Sequence, residues 1–307
     1  RVIVASKGQY APLMQLLNEK GAESSIEDRK WFAKEAFAVS SGYDTAIFNY
    51  FDNGEDSYFR CAENDAKVLR YGENPHQKGL FFGKFDEMFE QLHGKEISYN
   101  NLLDIDAAVS LIAEFDELTF AILKHNNACG LASRPVLVDA WKAALAGDPV
   151  SAFGGVSVSY THLTLPKKNR IILVLKENKT KSLQFRSLLN GVLMQERDLH
   201  CEKPEELTQV TKKSVTPEEV EDLLFANKIV KHSKSNAIVL AKGKQLYASG
   251  VGQTSRVDSL RHAIEKAKSF DFDLKGCVMA SDAFFPFPDC VEIAHKEGID
   301  TVIQPGG

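Results

Sequence analysis

Leu118-Thr119-Phe120-Ala121-Ile122-Leu123-Lys124-His125-Asn126-Asn127-Ala128-Cys129-Gly130 is the stretch on which the fold turns. Its first six residues make a short apolar, β-prone run bounded by polar neighbours, the pattern of a strand buried in an α/β sheet. That strand ends on Lys124 and His125. In open α/β sheets ligands bind in the crevice beyond the strand ends, so an ammonium and an imidazole emerging there are placed to act on one. Gly130 is expected to turn the chain sharply behind them. Alone, a His beside a Lys is more often a surface feature than a catalytic pair, and the rest of the chain has to decide.

Outward from this stretch, helical and strand patterns alternate. Upstream, Arg70-Tyr71-Gly72-Glu73-Asn74-Pro75-His76-Gln77 gathers a guanidinium, an aromatic ring and an imidazole around two turn formers. Such a loop can offer a planar donor fork to a phosphate or carboxylate, or be plain turn chemistry. Leu80 to Phe82 reads as a strand. Ile97 to Ala108 leads into a helix reaching Glu114, with Asp104 or Asp106 as charges near its start and Asn100 and Asn101 as loop polars. Downstream, Val136 to Ala146 reads as a helix closed by Gly147. The pair Gly154-Gly155 permits close backbone approach to an anion, though paired glycines are common in ordinary turns.

Thr216-Pro217-Glu218-Glu219 is a helix start with a Thr cap, Pro at the first helical position and Glu completing a capping box. Strands follow at Ala237 to Ala241 and Gln245 to Ser249, then Gly250-Val251-Gly252-Gln253-Thr254-Ser255-Arg256 and a helix to Lys268. Ser255 occupies the third glycine position of the dinucleotide fingerprint, so the match is poor evidence, yet free amides and Arg256 could hold an anion at the helix start. Val278 to Asp289 reads as a strand and a proline-stiffened loop whose three Phe suit a flat heterocycle or the core. At the other end, Val2 to Ala5 is expected as a strand, Tyr10 to Lys20 as a helix capped by Gly21, Ile26 to Val39 as a helix and Tyr43 to Tyr50 as a strand. Asp52 to Asp56 is the expected linker.

Composition narrows the classes. The 307 residues are 44% hydrophobic and 26% charged, ordinary for a soluble globular protein of about two domains. A formal charge of −5 gives no broad attraction to nucleic acid or an acidic membrane. Five scattered cysteines without a C-x-x-C pair argue against a disulfide framework and a structural zinc site, and fit a reducing cytosol. No apolar run approaches the roughly 20 residues of a membrane span, and no signal peptide opens the chain. Both ends read as cut from a longer protein.

Seven ordered runs then become recognisable: Arg70 to Gln77, Lys124 to Gly130, Ser151 to Gly155, Lys234 to Ala237, Gly250 to Arg256, Ser281 to Phe287, and Gln304 to Gly307. Together they closely resemble the bifunctional purine biosynthesis family, which joins aminoimidazole carboxamide ribonucleotide (AICAR) formyltransferase to IMP cyclohydrolase. The resemblance implies an α/β fold with two cytidine-deaminase-like halves, about residues 56–165 and 166–307, preceded over 1–55 by the end of a methylglyoxal-synthase-like cyclohydrolase domain. It implies transfer of a formyl group from 10-formyltetrahydrofolate to the 5-amino group of AICAR. His125 would take the amine proton, and Lys124 would stabilise developing charge or protonate the departing folate nitrogen. Arg70, Tyr71, Gly154, Asn236, Arg256 and Phe284 fall at nucleotide positions, and Val257, Asp289, Gly306 and Gly307 at folate positions. The deaminase signature H-x-E with P-C-x-x-C is missing, so no zinc is expected. The family further implies a cytoplasmic homodimer with sites shared between subunits.

Three departures stand against that pattern. Residues 1–55 match only the end of the cyclohydrolase domain, which puts that activity in doubt. Between Gly155 and Lys167 the family has a longer segment with another nucleotide-contacting Asp, where this chain has Val158 to Pro166, expected to be a deletion or an assembly junction. The C-terminal Arg-His-Phe run of the family is absent. Two other readings follow: a nucleotide or folate binding module without turnover, and a fragment that aggregates through unpaired strand edges.

Overall fold

A computed structural model describes residues 1–52, 58–152, 155–158, 172–178 and 180–306. Contacts divide the chain into two units, Arg1–Val68 with Leu80–Lys84, and Leu69–Gly79 with Phe85–Gly307.

The first unit is mainly two helices, α1 (Tyr10–Lys20) and α2 (Ile26–Asp52), with a small antiparallel pair, β1 (Ala66–Val68) and β2 (Leu80–Phe82). Gly21 ends α1 at φ +63°, its N–H donating to the Leu17 carbonyl at 2.9 Å, as the sequence predicts. Two expectations fail. Val2 to Ala5 forms no strand, because a strand needs a partner for its backbone groups; the Ala5 N–H donates instead to Gln9 Oε1 at 2.7 Å. Tyr43 to Tyr50 continues α2, since a helix satisfies its backbone internally whatever the side chains' β preference. Asp52 is the last residue of that helix, and residues 53–56 of the expected linker lie outside the described residues.

The second unit begins with α3 (Phe85–Met88), β3 (Phe89–His93), α4 (Tyr99–Ile112), β4 (Thr119–Lys124), β5 (Asn127–Ser133) and α5 (Leu137–Gly147). β6 (Val156–Val158), β7 (Ile172–Leu175) and the hairpin β8 (Leu183–Leu188) with β9 (Gly191–Glu196) follow. It closes with α6 (Pro217–Lys231), β10 (Ile238–Ala241), β11 (Leu246–Gly250), α7 (Arg256–Ser269), β12 (Val278–Ser281), α8 (Asp289–Lys296) and β13 (Thr301–Ile303).

Within this order one motif occurs twice: helix, antiparallel hairpin, helix, first as α4-β4-β5-α5 and again as α6-β10-β11-α7. The first helix of each copy opens with a capping box, Ser98 with Asn101 and Thr216 with Glu219. Asn101, read from sequence as a loop polar, thus starts a helix, and the expected role of Asp104 or Asp106 as terminal charges falls to this cap. Asp104 is instead buried in the second turn, while exposed Asp106 pairs with Arg197 at 3.1 Å.

β6-β4-β5 and β11-β10-β12-β13 are two sheets whose edge strands meet, β5 beside β11, through a bridge from Ala132 to Gln245. Alternation along the strands sorts the core. Ala121, Leu123, Val239 and Ala241 face one side with Leu111, Ile112, Ala226 and Ile229 of α4 and α6. Phe120 and Ile122 face the other side with Ala140 and Ala144 of α5, and Ile238 and Leu240 do so with Leu260 and Ala263 of α7. Burial on both faces is why β4 and β10 read as continuous apolar runs. Each large side chain so buried contributes about 1.5–3 kcal/mol.

Gly130 does not turn the chain. It lies inside β5 against α5, where a Cβ would meet the Ala144 carbonyl oxygen at 2.0 Å, so its lack of a side chain permits close helix packing. The turn comes earlier, at His125 and Asn126.

Candidate active site

Because β4 and β5 are antiparallel and joined by two residues, the Lys-His pair sits on a hairpin turn rather than at the open end of a parallel strand. Lys124 is the last residue of β4 and is half-buried; His125 and Asn126 are exposed, with φ of +52° and +64°. Both residues are left-handed, as in the favoured two-residue hairpin. Without glycine that conformation costs roughly 1–2 kcal/mol per residue, so neighbouring groups have to hold it.

They do so from two sides. On one, the Asp104 carboxylate of α4 accepts the Asn126 N–H at 2.7 Å. Burial pushes the Asp104 carboxyl above its ordinary value, against the opposing effects of this bond and of the His125 charge. On the other, the Asn127 side chain donates to the His125 carbonyl at 2.7 Å and accepts the Lys234 N–H at 3.0 Å. Asn127 thereby ties the turn to the loop between α6 and β10.

That loop carries the second group of predicted residues. Arg256, the first residue of α7, donates to Asn236 Oδ1 at 2.7 Å and meets Asp282 Oδ1 at 3.3 Å, with the side chains of Arg256 and Asp282 only 12% and 13% exposed. Asp282 also accepts the Ala237 N–H at 2.9 Å and a bond from the Ser235 hydroxyl. The Asn236 amide donates to the Gln253 carbonyl at 2.9 Å, so the Gly250 to Arg256 loop spends polar groups on fixing Asn236. Arg256 Nε is buried without a hydrogen-bond partner among the described residues. A guanidinium so placed can take an anionic or carbonyl group of a ligand.

The other predicted residues stand apart in hydrogen bonding. Arg70 lies over the Tyr71 ring at 4.5 Å and bonds its hydroxyl, and neither residue bonds the Asn236-Arg256 group. Their loop is docked on the start of α4, where the Tyr99 N–H donates to the Tyr71 carbonyl at 3.3 Å and Asn100 donates to the Glu73 carbonyl at 3.0 Å. Phe284 is 50% exposed in the loop after β12, and the neighbouring Phe285 N–H donates to Gln304 at 2.7 Å. Val257, in the first turn of α7, packs against the core, Asp289 opens α8, and Gly306 is exposed past β13. Gly154 and Gly307 lie outside the described residues. A cavity of ≈ 50 Å³ between α4, β6 and β7, lined by Ile105, Val109, Val158 and Leu173 among others, contains none of the predicted site residues.

Sequence reasoning missed Asp104, Asn127 and Asp282 as parts of the frame. The available signal was the hairpin: two non-glycine residues in a tight turn require outside partners. The buried thiols Cys129 and Cys290, both raised to about 11 by burial, and Cys277, raised to about 12, are unsuited to act as nucleophiles. Among the described residues no group of three or more His, Cys, Asp or Glu could hold a metal ion, and no helix is long and apolar enough to cross a membrane.

This is an α/β protein with an imidazole and an ammonium on a braced turn, linked through Asn127, Lys234 and Asn236 to a largely buried guanidinium. The chain belongs to the AICARFT/IMPCHase bienzyme family, whose model matches residues 1–165 and 160–266. It is 66% identical over 334 residues to the bifunctional purine biosynthesis protein PurH of Bacteroides thetaiotaomicron, covering 100% of this chain and 66% of that protein. It is 39% identical over 349 residues to the protein of the same name from Persephonella marina, covering 99% of this chain and 67% of that one. The Caldicellulosiruptor saccharolyticus protein matches at 39%, with the same coverage of each. The chain therefore spans about two thirds of the length of these relatives. The family match divides around residues 160–165, within the stretch where the sequence departs from the family pattern.

Proposed function

We propose that this chain carries the formyltransferase site of its family and transfers a formyl group from 10-formyltetrahydrofolate to the 5-amino group of AICAR in purine biosynthesis. The observation that carries the reading is the Asn127 bridge, which holds the Lys124-His125 turn against the loop bearing Asn236 and, through it, Arg256. In this scheme the amine nitrogen attacks the formyl carbon, its proton passes to His125 Nε2 or Nδ1, and the carbon–nitrogen bond to the folate breaks. The departing folate nitrogen takes a proton, and the Lys124 ammonium stabilises negative charge on the formyl oxygen or supplies that proton. Asn236 and Arg256 hold the nucleotide, with Arg70, Tyr71, Gly154 and Phe284 completing its site. Val257, Asp289, Gly306 and Gly307 serve the folate.

The two copies of the helix-hairpin-helix motif support the reading of residues 56–307 as a transferase of paired cytidine-deaminase-like halves, about 56–165 and 166–307, with residues 1–55 the remnant of the cyclohydrolase domain. A zinc-free site, a homodimer with shared sites and a cytoplasmic location belong to the same proposal. The test is formation of formyl-AICAR by the purified chain, alongside calorimetry with AICAR and with a folate analogue. Product formation that disappears in His125→Ala supports the reading. Binding of both ligands without product would replace it with a non-catalytic binding module.

A further inference from the structure

We propose that Asp104 is a positioning residue for His125, holding the Lys124-His125 turn in the conformation that formyl transfer uses; the inference rests on the function proposed above for that turn. The second copy of the motif carries the matching carboxylate. Asp222 stands at the position in α6 that Asp104 holds in α4, the sixth residue of each helix, and each is followed at the same spacing by the two-residue turn of its hairpin.

In the second copy the turn is Gly243-Lys244, at φ +58° and +51°, and the Asp222 carboxylate accepts both turn amides, each at 2.7 Å. Here the carboxylate is a fold device: it anchors a hairpin to the helix beneath it. In the first copy the same device grips a different cargo. Asp104 accepts the Asn126 N–H but, among the described residues, makes no bond to the amide of His125. The turn is pinned immediately after His125, and the Asn127 side chain takes the His125 carbonyl from the other side. Those bonds fix the backbone of His125, and so the origin from which its ring reaches out. Cavity and helix-end explanations do not apply, since Asp104 is mid-helix and buried with its oxygen directed at one amide.

Asp104→Ala and Asp222→Ala in the full chain separate positioning from mere support. For Asp104→Ala the expected result is a fall in kcat of at least tenfold with KM for AICAR within threefold. Asp104→Asn, whose amide oxygen can still accept the Asn126 N–H, restores kcat to within threefold of the parent. Asp222→Ala lowers the melting temperature and leaves kcat within twofold. An equal loss of kcat in Asp104→Ala and Asp222→Ala, or parental kcat in Asp104→Ala, overturns the proposal. Should Asp104→Ala not fold, Asp104→Glu, which moves the oxygens by one methylene, is read by the same kcat and KM criteria. Hydrogen exchange at the Asn126 amide decides the brace independently of activity: protection falls in folded Asp104→Ala if the brace exists, and unchanged protection refutes it. A parent chain that makes no product refutes formyl transfer, and the Asn126 amide then still reports on the brace.

Discussion

The hairpins β4-β5 and β10-β11 are the same piece of structure built from different turn residues, and the difference separates folding from function. Gly243-Lys244 is an economical solution, because glycine enters the left-handed region without steric penalty and Asp222 takes both amides. His125-Asn126 adopts the same backbone without glycine, one bond from Asp104 short of that arrangement. A chain selected only for stability has no reason to place an exposed imidazole there. The strained copy is also the one whose turn is tied through Asn127 to the Asn236 loop.

The contrast can be broken most directly at the turns. His125→Ala is expected to lower formyl transfer at least about a hundredfold while AICAR affinity stays within about tenfold, roughly 1.4 kcal/mol. Gly243→Ala, at φ +58° with open space around its Cβ position, is expected to cost about 1–2 kcal/mol of stability and leave turnover at the parental level. His125→Gly is the sharpest version: it should abolish turnover and raise the melting temperature. A His125→Gly protein less stable than its parent would show that the turn is not strained.

The helix crossings should respond alike in the two copies. A Cβ on Gly130 would lie 2.0 Å from the Ala144 carbonyl oxygen, and one on Gly250 1.8 Å from that of Ser259. Both atoms are backbone and cannot swing aside, so Gly130→Ala and Gly250→Ala should each destabilise by about 3 kcal/mol in denaturant melts. The caps should be alike and smaller: Ser98→Ala and Thr216→Ala each cost about 1 kcal/mol, since each hydroxyl accepts an amide three residues on. A large difference between them would mean that the two copies are not equally self-supporting.

The smallest expected effect is a pair of opposite pH slopes. Burial alone would raise the Asp148 carboxyl, but the Lys266 ammonium and the Ser151 N–H together hold it below the ordinary 3.8. Its stabilisation is therefore complete above 3.8 and is lost as acid carries the pH down through the lower folded value. Asp104, raised by burial, runs the other way: as pH climbs past 3.8 toward its higher folded value, the unfolded chain ionises first and stability declines. Melts between about pH 3 and 6 should show Asp148→Asn with a shallower acid loss, and Asp104→Asn without the opposing decline.

What could be read in advance was whatever short-range chemistry controls. Thr216-Pro217-Glu218-Glu219 starts α6 and Gly21 ends α1 because caps are local hydrogen bonds. Leu118 to Leu123 was legible as a strand because both faces are buried, leaving an unbroken apolar run. Tyr43 to Tyr50 misled, since its aromatic, β-leaning residues sit in a helix already under way. Of the proposed site residues, Lys124, His125 and Arg256 could be picked out as candidates from a strand end and a helix start, whereas Asn236 entered only through resemblance to a family, as nothing in the local sequence joins it to the others.

By itself the sequence determined the periodicities, the caps and the identity of the chemistry-bearing side chains, because those depend on residues a few positions apart. Only the tertiary structure decided that the turn falls at His125 rather than Gly130, that a carboxylate 21 positions before His125 braces that turn, and that Asn127 reaches the chain again at Lys234. These are contacts between segments brought together by the packing of α4 and α6 on one sheet face, and no local pattern encodes which distant amide a buried carboxylate will meet.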